Sequence, residues 1–176
     1  MEPIKIKLLT QMDTNELFAF EKENREYFQN IGLARVDAYY QYESFEQIVK
    51  ELVYEQDKGL LYMYLVIDQY GNIVGRVNLT DIIQEPFKKA ELGYRIGEAY
   101  QGKGYATCAV KLILRQANQI HKLHRIEAGT SPQNIGSQIV LIKNGFQFIG
   151  RYNQYYLHGD KWIDNLLFEK VIDYPN

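Results

Sequence analysis

The stretch Gln101-Gly102-Lys103-Gly104-Tyr105-Ala106-Thr107 decides how this chain is interpreted. It follows a strand-like segment, residues 91–96, and opens a predicted helix with apolar residues at helical spacing: Ala106, Val110, Ile113, Leu114 and Ala117. The first amide N–H groups of a helix are unpaired and lie at the positive end of its dipole. Glycine has no Cβ, so a phosphate can approach the backbone of such a turn closely. The stretch therefore predicts a pyrophosphate-binding loop between a strand and a helix.

The spacing excludes two other phosphate loops. The dinucleotide fingerprint Gly-x-Gly-x-x-Gly needs a glycine where Thr107 stands, and the Walker loop needs four residues between its first glycine and a Gly-Lys pair. What remains is Gln-x-x-Gly-x-Ala. The alternative is a glycine-rich turn that binds no ligand.

Composition predicts one globular domain, residues 1–176. Apolar residues make up 46% of the chain and charged residues 24%, and no apolar run is long enough to cross a membrane. Cys108 is the only cysteine, which excludes an intrachain disulfide and favours a cytoplasmic protein. The first residues lack the apolar core of a signal peptide. A net charge of −2 argues against direct nucleic-acid binding.

The pattern along the chain predicts an α/β (α+β) fold. Strands are predicted at residues 4–9, 61–67, 73–83, 90–96, 125–130, 146–157 and 162–171, and helices at 14–27, 44–58, 105–121 and 134–143. The capping box Ser44–Gln47 should begin the second helix. Short links make the second to fourth strands antiparallel, whereas a helical crossover makes the fifth parallel to the fourth.

The sequence predicts the exposure or burial of two helix faces. The end of the first helix carries Glu21, Glu23 and Glu26, which predict a solvated face or an acidic rim that attracts a cationic substrate. In the last helix we expect Ile135, Ile139 and Ile142 to be buried, together with Val140 as a further candidate.

A second motif follows the first in register. Asn134-Ile135-Gly136-Ser137 precedes Lys143-Asn144-Gly145-Phe146 and Gly150, and the chain ends with the hairpin residues 159–164. Together with Gln-x-x-Gly-x-Ala and the element order, these motifs resemble the GCN5-related N-acetyltransferases (GNATs), in the branch that acetylates ribosomal proteins. The resemblance covers essentially the whole chain.

The resemblance implies a mixed, mostly antiparallel seven-stranded sheet, with splayed parallel strands four and five and helices on both faces. It implies acetyl-CoA as cosubstrate, with its pyrophosphate held by the backbone of Gln101, Gly102, Lys103, Gly104, Tyr105, Ala106 and Thr107. The backbone of Tyr94, Arg95 and Ile96 would pair with the pantetheine arm, which Asn134 also contacts. Lys143 would meet the nucleotide. No metal is expected, because His121 and His124 have no third ligand nearby in sequence.

The residues at the expected catalytic positions differ from those of many GNATs. Many GNATs carry a tyrosine acid where Leu141 stands, and relatives often carry a glutamate where Ile149 stands. Ser137 matches the serine of the ribosomal-protein branch and is predicted to protonate the leaving thiolate. Glu91, on the polar face of its strand, is the candidate base, ahead of Asp160 and Asp164.

The resemblance favours N-acetylation of a primary amine, most directly the N-terminal amine of a protein or peptide. Polyamine and antibiotic acetylation stay open as alternatives. So does a non-catalytic acetyl-CoA-binding module, because the usual tyrosine and glutamate are both absent. The expected state is a monomer or homodimer without membrane attachment.

Overall fold

The protein folds around one seven-stranded sheet with helices on both faces. The computed structural model describes residues 3–172. The strands are β1 (Ile4–Leu8), β2 (Tyr62–Asp68), β3 (Ile73–Ile83), β4 (Lys89–Ile96), β5 (Arg125–Thr130), β6 (Gln147–His158) and β7 (Lys161–Val171). Their order is β1-β2-β3-β4-β5-β7-β6, and β4 with β5 is the parallel pair. The fold predicted from the sequence is confirmed.

The helices divide between the two faces of the sheet. They are α1 (Thr14–Glu23), α2 (Arg25–Asn30), α3 (Tyr42–Asp57), α4 (Tyr105–Gln119) and α5 (Ile135–Lys143). One core joins the sheet to α4 through buried residues such as Leu79, Leu92 and Ile113. The other lies under α1 to α3 and includes Leu17, Phe28 and Phe45. Within residues 3–172, no helix is both long and apolar enough to cross a bilayer.

The first predicted helix is two helices, because Asn24 interrupts it. The Asn24 side-chain amide donates to the carbonyl of Phe20 (2.9 Å), and its oxygen accepts the N–H of Glu98 (2.9 Å). A side chain that bonds the backbone in this way competes with helix continuation. The break therefore ties α1 to the segment that follows β4.

The predicted capping box of the next helix is wrong. α3 begins at Tyr42 with Gln41 as N-cap, so Ser44 lies inside the first turn. Its end was predicted better, since α3 stops at Asp57 and Gly59 follows with φ +70°. Gly59 donates to the Gln56 carbonyl (2.9 Å), which supplies a partner for the end of the helix.

Two burial predictions are also wrong. Glu21 is completely buried rather than solvated, whereas Glu23 and Glu26 are exposed as predicted. In α5, Ile135, Ile139 and Ile142 are 57%, 48% and 61% exposed, whereas Leu141 is fully buried. α5 therefore packs through the Val140–Leu141 side of the helix and leaves its isoleucine face to solvent.

Candidate active site

The candidate site lies where β4 and β5 part. Their parallel pairing runs from Lys89–Arg125 to Glu91–Glu127, but β4 continues to Ile96 and β5 to Thr130. On its other side, β4 stays paired with β3 as far as Ile96. Because backbone groups need partners, the parted edges offer hydrogen bonds to an extended ligand.

The backbone groups that face the opening can be assigned from one hydrogen bond. The Gly97 N–H donates to the Val74 carbonyl of β3 (2.9 Å). Since these groups alternate between the two sides of a strand, those of Tyr94 and Ile96 point toward β5. Those of Arg95 point back to β3. Of the three residues predicted to pair with a pantetheine arm, Tyr94 and Ile96 are therefore the better placed.

A cavity of about 750 Å³ passes through the opening. On the α4 side it is lined by the loop Gln101–Thr107 except Lys103, and by Asn134 and Ser137. On the α1–α3 side it is lined by Tyr27, Gly32, Arg35, Arg95 and Glu91, among others. A volume of this size suits a small-molecule site, and the cavity joins the two faces of the sheet.

The loop has the backbone that its sequence predicts. Gly102 and Gly104 have φ of +73° and +76°, a left-handed conformation that side chains disfavour. Gly104 is the N-cap of α4, and an added Cβ at either glycine would meet open space. The first N–H groups of α4 thus face the cavity at the positive end of the helix dipole. This arrangement fits a pyrophosphate.

Gln101 fixes the loop to the end of β4. Its side-chain amide donates to the Ile96 carbonyl at 2.7 Å. This bond occupies one of the groups expected to meet the pantetheine arm, so the Ile96 N–H and the backbone of Tyr94 remain for that role. At the other end of the loop, the side-chain amide of Asn144 donates to the Thr107 carbonyl (3.2 Å) and so joins α5 to α4.

Ser137 lies in the first turn of α5 and is bonded to a partner that the sequence did not indicate. Its hydroxyl oxygen is 2.8 Å from the Tyr94 hydroxyl oxygen, and the Tyr94 O–H also lies 3.3 Å from the Ser137 carbonyl. Burial raises the pKa of Tyr94 to about 12, against a smaller lowering by Ser137, so this phenol stays protonated at neutral pH. The pair forms a short hydroxyl chain on the α4 side of the cavity.

Of the other residues predicted to contact the cofactor, one lines the cavity and two do not. Asn134 is the N-cap of α5, and its side-chain oxygen accepts the Ser137 N–H at 3.0 Å. Lys103 and Lys143 lie outside the residues that line the cavity, and the Lys103 ammonium is 5.2 Å from the Tyr100 ring. The roles predicted for these two lysines stay predictions.

Glu91 lines the cavity from the opposite face of β4. Glu91 is exposed to solvent, yet partial desolvation by the cavity walls first, and then the neighbouring carboxylates of Asp81 and Glu127, raise its pKa, while Lys89 opposes this. A carboxyl with a raised pKa is a stronger base, which suits proton abstraction near neutral pH. The geometry thus places a candidate acid and a candidate base on the two sides of one cavity.

Two asparagines at the site were not found from the sequence. Asn78 pairs with Gly93 across β3 and β4, and Asn165 of β7 lies beside Gly129 of β5; both amides line the cavity. A Cβ on Gly93 would lie 2.9 Å from the Asn78 amide, and one on Gly129 would lie 2.5 Å from that of Asn165. The two glycines therefore make room for hydrogen-bonding groups on both sides of the opening. The sequence feature that could have indicated these asparagines is the presence of Gly93 and Gly129 inside strands, where a glycine marks the close approach of another group to the backbone.

Comparison with known proteins assigns this geometry to a family. The family model described as an acetyltransferase (GNAT) domain matches residues 4–147. The chain belongs to the GNAT acetyltransferase family. It is thus an N-acetyltransferase, an acyl-transferring enzyme with acetyl-CoA as acetyl donor, and the non-catalytic alternative is set aside.

The relatives of this GNAT chain include ribosomal-protein acetyltransferases. It is 35% identical to "Probable N-acetyltransferase YjcK" of Bacillus subtilis over 81% of this chain and 80% of that protein. It is 28% identical to the ribosomal protein uS5-alanine N-acetyltransferase of Escherichia coli over 92% of this chain and 84% of that one. The solved ribosomal-protein-S5-alanine acetyltransferase of Vibrio fischeri superimposes with a TM-score of 0.91 at 27% identity, covering 97% and 94% of the two chains.

The residues present fit acetyl-CoA. The left-handed loop and the first turn of α4 offer N–H donors to the pyrophosphate, and the unpaired edge of β4 offers backbone groups to the pantetheine amides. Among residues 3–172, no group of three or more His, Cys, Asp or Glu side chains is arranged to hold a metal ion.

Replacing Gly104 by valine is expected to weaken acetyl-CoA binding about tenfold or more, the cost of losing one charge-assisted hydrogen bond. The new side chain would stand where a phosphate approaches the backbone N–H groups. Calorimetric titration of the folded variant measures the effect. Gly71→Val is the matched control, because Gly71 has φ +92°, meets open space and lies in the β2–β3 turn. Equal affinity in both variants would remove the loop from the cofactor site.

Proposed function

We propose that this enzyme acetylates the N-terminal amine of a protein or peptide. The observation that carries the proposal is the cavity through the parted strands, which joins the loop side of the sheet to an open acceptor side. Its ribosomal-protein relatives support the same acceptor class. The proposal also includes that the chain forms a single domain, that the protein is cytoplasmic and that it exists as a monomer or a homodimer.

Acetyl-CoA supplies an activated thioester carbonyl at the parted strands. The backbone N–H groups on the free edge of β4 are the donors available to a developing oxyanion there. The Ser137 hydroxyl holds the proton that a departing sulfur needs, and the Tyr94 hydroxyl at 2.8 Å can orient it or replace its proton. Tyr94 suits this role because its raised pKa keeps the phenol protonated.

On the acceptor side, Glu91 is assigned the amine proton. An attacking amine must be neutral, and an α-amine with an ordinary pKa near 8 is partly so at neutral pH. Glu91 can take the proton directly or through a water molecule, and the carboxamides of Asn78 and Asn165 can position the amine. The acid and the base then act from opposite faces of β4.

Glu91→Gln is expected to lower the turnover rate about tenfold to a hundredfold. This is at or below the lower end of the usual range for a general base, because part of the α-amine is already neutral. In the native enzyme, protonation of Glu91 should cut the rate as pH falls, and its raised pKa moves that loss toward neutral pH. The variant should lack the part of this acid limb that comes from Glu91 and keep the part that comes from protonation of the amine itself. Rate–pH profiles at saturating acetyl-CoA measure it, and identical profiles would show that Glu91 is not the base.

The proposed function is tested by offering the enzyme, with acetyl-CoA, a panel of N-terminal peptides, polyamines and aminoglycosides. Mass spectrometry then reports which compounds gain one acetyl group. The proposal expects peptides with a free N-terminus to react fastest and peptides with a blocked N-terminus to stay unchanged. Faster acetylation of a polyamine or an aminoglycoside would replace the proposed acceptor.

A further inference from the structure

The acceptor side of the cavity contains a buried charge cluster with too few carboxylates. Glu21 is 0% exposed and lies between two arginines: its Oε1 is 3.2 Å from Arg76 Nε, and its Oε2 is 3.2 Å from Arg95 Nη1. Arg76 and Arg95 are 5% and 8% exposed, and both line the cavity. One negative charge therefore serves two guanidinium groups.

Glu21 lies in ion-pair distance of both arginines but accepts a hydrogen bond from Arg95 alone, since within residues 3–172 its Oε1, the oxygen nearest Arg76, has no hydrogen-bond partner. The pKa of Arg76 is raised despite its burial, because Glu21 favours the charged form. Burial, followed by the nearby Arg76, lowers the pKa of Arg95 to about 10, which still leaves it protonated at neutral pH. A guanidinium carries five N–H donors, and only one of those of Arg95 donates to Glu21. Arg95 thus presents a charge to the cavity that its partner only partly neutralises.

Arg35 strengthens the positive end of the cavity. It is exposed, lines the cavity and lies with its guanidinium 5.7 Å from the ring of Tyr39, which itself accepts a bond from Arg76 (3.3 Å). This end contains the positive charges of Arg35, Arg76 and Arg95 and the negative charge of Glu21. It therefore has an excess of positive charge. We call these three arginines with Glu21 the basic end.

The opposite end of the acceptor side is acidic. Glu91 stands on the same face of β4 as Arg95, four residues away. Asp81 and Glu127 add to its negative field, which Lys89, paired with Glu127 at 2.8 Å, reduces in part. At about 3.3 Å per residue, the two side chains leave the strand about 13 Å apart. An acceptor lying along β4 would thus meet a carboxylate at one end and guanidinium groups at the other.

We propose that the preferred acceptor is a peptide whose N-terminal amine lies at Glu91 and whose acidic side chain, within its first four residues, binds Arg95 and Arg35. This inference rests on the proposed function and names the substrate class of the same site. An extended chain advances about 3.3–3.6 Å per residue, so the third and fourth residues lie about 7–11 Å from the first and their side chains can reach the basic end. A guanidinium fork binds a carboxylate with two parallel hydrogen bonds, and a lysine there would be repelled. Polyamines would meet the same repulsion.

The test compares peptides of one length that differ at the third residue, which is glutamate, glutamine or lysine. We expect the native enzyme to acetylate the glutamate peptide with a kcat/KM about tenfold or more above that of the lysine peptide, as charge-assisted hydrogen bonds predict. Raising the salt concentration should narrow the difference, since Arg35 is exposed.

Arg35→Gln should reduce the preference for glutamate over glutamine, mainly through KM for the peptide. Lys5→Gln is the matched control: Lys5 is an exposed cation on β1, at the far edge of the sheet, and its loss should leave the preference intact. Equal rates for the three peptides with native enzyme would overturn charge recognition while the proposed function stands. Acetylation of none of them, together with activity on another amine, would overturn the proposed function itself.

Discussion

Glu21→Gln is expected to lower the free energy of unfolding by about 3–5 kcal/mol, the usual cost of leaving a buried charge without its partner. The substitution keeps the size of the side chain but leaves the guanidinium groups of Arg76 and Arg95 buried side by side without a counter-charge. Their repulsion and the cost of desolvation then oppose folding. Urea denaturation followed by circular dichroism measures the change.

The matched control is Glu46→Gln. Glu46 pairs with Lys50 at 2.7 Å one turn along α3, and both side chains are more than 40% exposed. Such pairs contribute about 0.3–0.5 kcal/mol, so the control should unfold almost as the native protein does. Similar losses in the two variants would mean that the buried cluster contributes no more than a surface pair.

Ser137→Ala is expected to slow turnover about 10²- to 10⁴-fold, the range for one general acid. The change removes the hydroxyl that lies 2.8 Å from Tyr94, whereas the N–H of residue 137 can still bond to Asn134. The affinity for acetyl-CoA should therefore change little, so the loss should fall on kcat.

Steady-state kinetics and calorimetric titration separate the two quantities. Ser44→Ala is the control, since Ser44 lies in the first turn of α3, outside the cavity lining. Full activity of the Ser137 variant across the pH range would show that the thiolate leaves without help from this serine. A parallel loss of affinity would give Ser137 a binding role instead.

The sequence predicted those features that depend on neighbouring residues. Alternating strands, short links and one helical crossover were enough to predict the order of β2 to β5, and Gly102 with Gly104 predicted the turn that begins α4. The exposed face of α5 could not be predicted in the same way. The run from Ile139 to Ile142 is uniformly apolar, so periodicity does not indicate which side of the helix packs.

Contacts between distant segments account for most of what was missed at the site. Tyr94 and Ser137 are 43 residues apart, and Glu21 and Arg95 are 74 apart, so no local spacing connects them. One signal for Glu21 was present: it shares a helical stripe with Leu17, Asn24 and Phe28, all of which are buried. A charged residue on that stripe indicates a buried ion pair.

The central claim is that acetyl transfer occurs to an N-terminal amine held at the parted strands. The most direct measurement uses a peptide that has both a free N-terminus and an internal lysine, incubated with enzyme and acetyl-CoA. Fragment mass spectrometry then locates the acetyl group. Acetylation of the N-terminal amine, with the lysine unmodified, is the predicted result, whereas acetylation of the lysine side chain alone would contradict the claim.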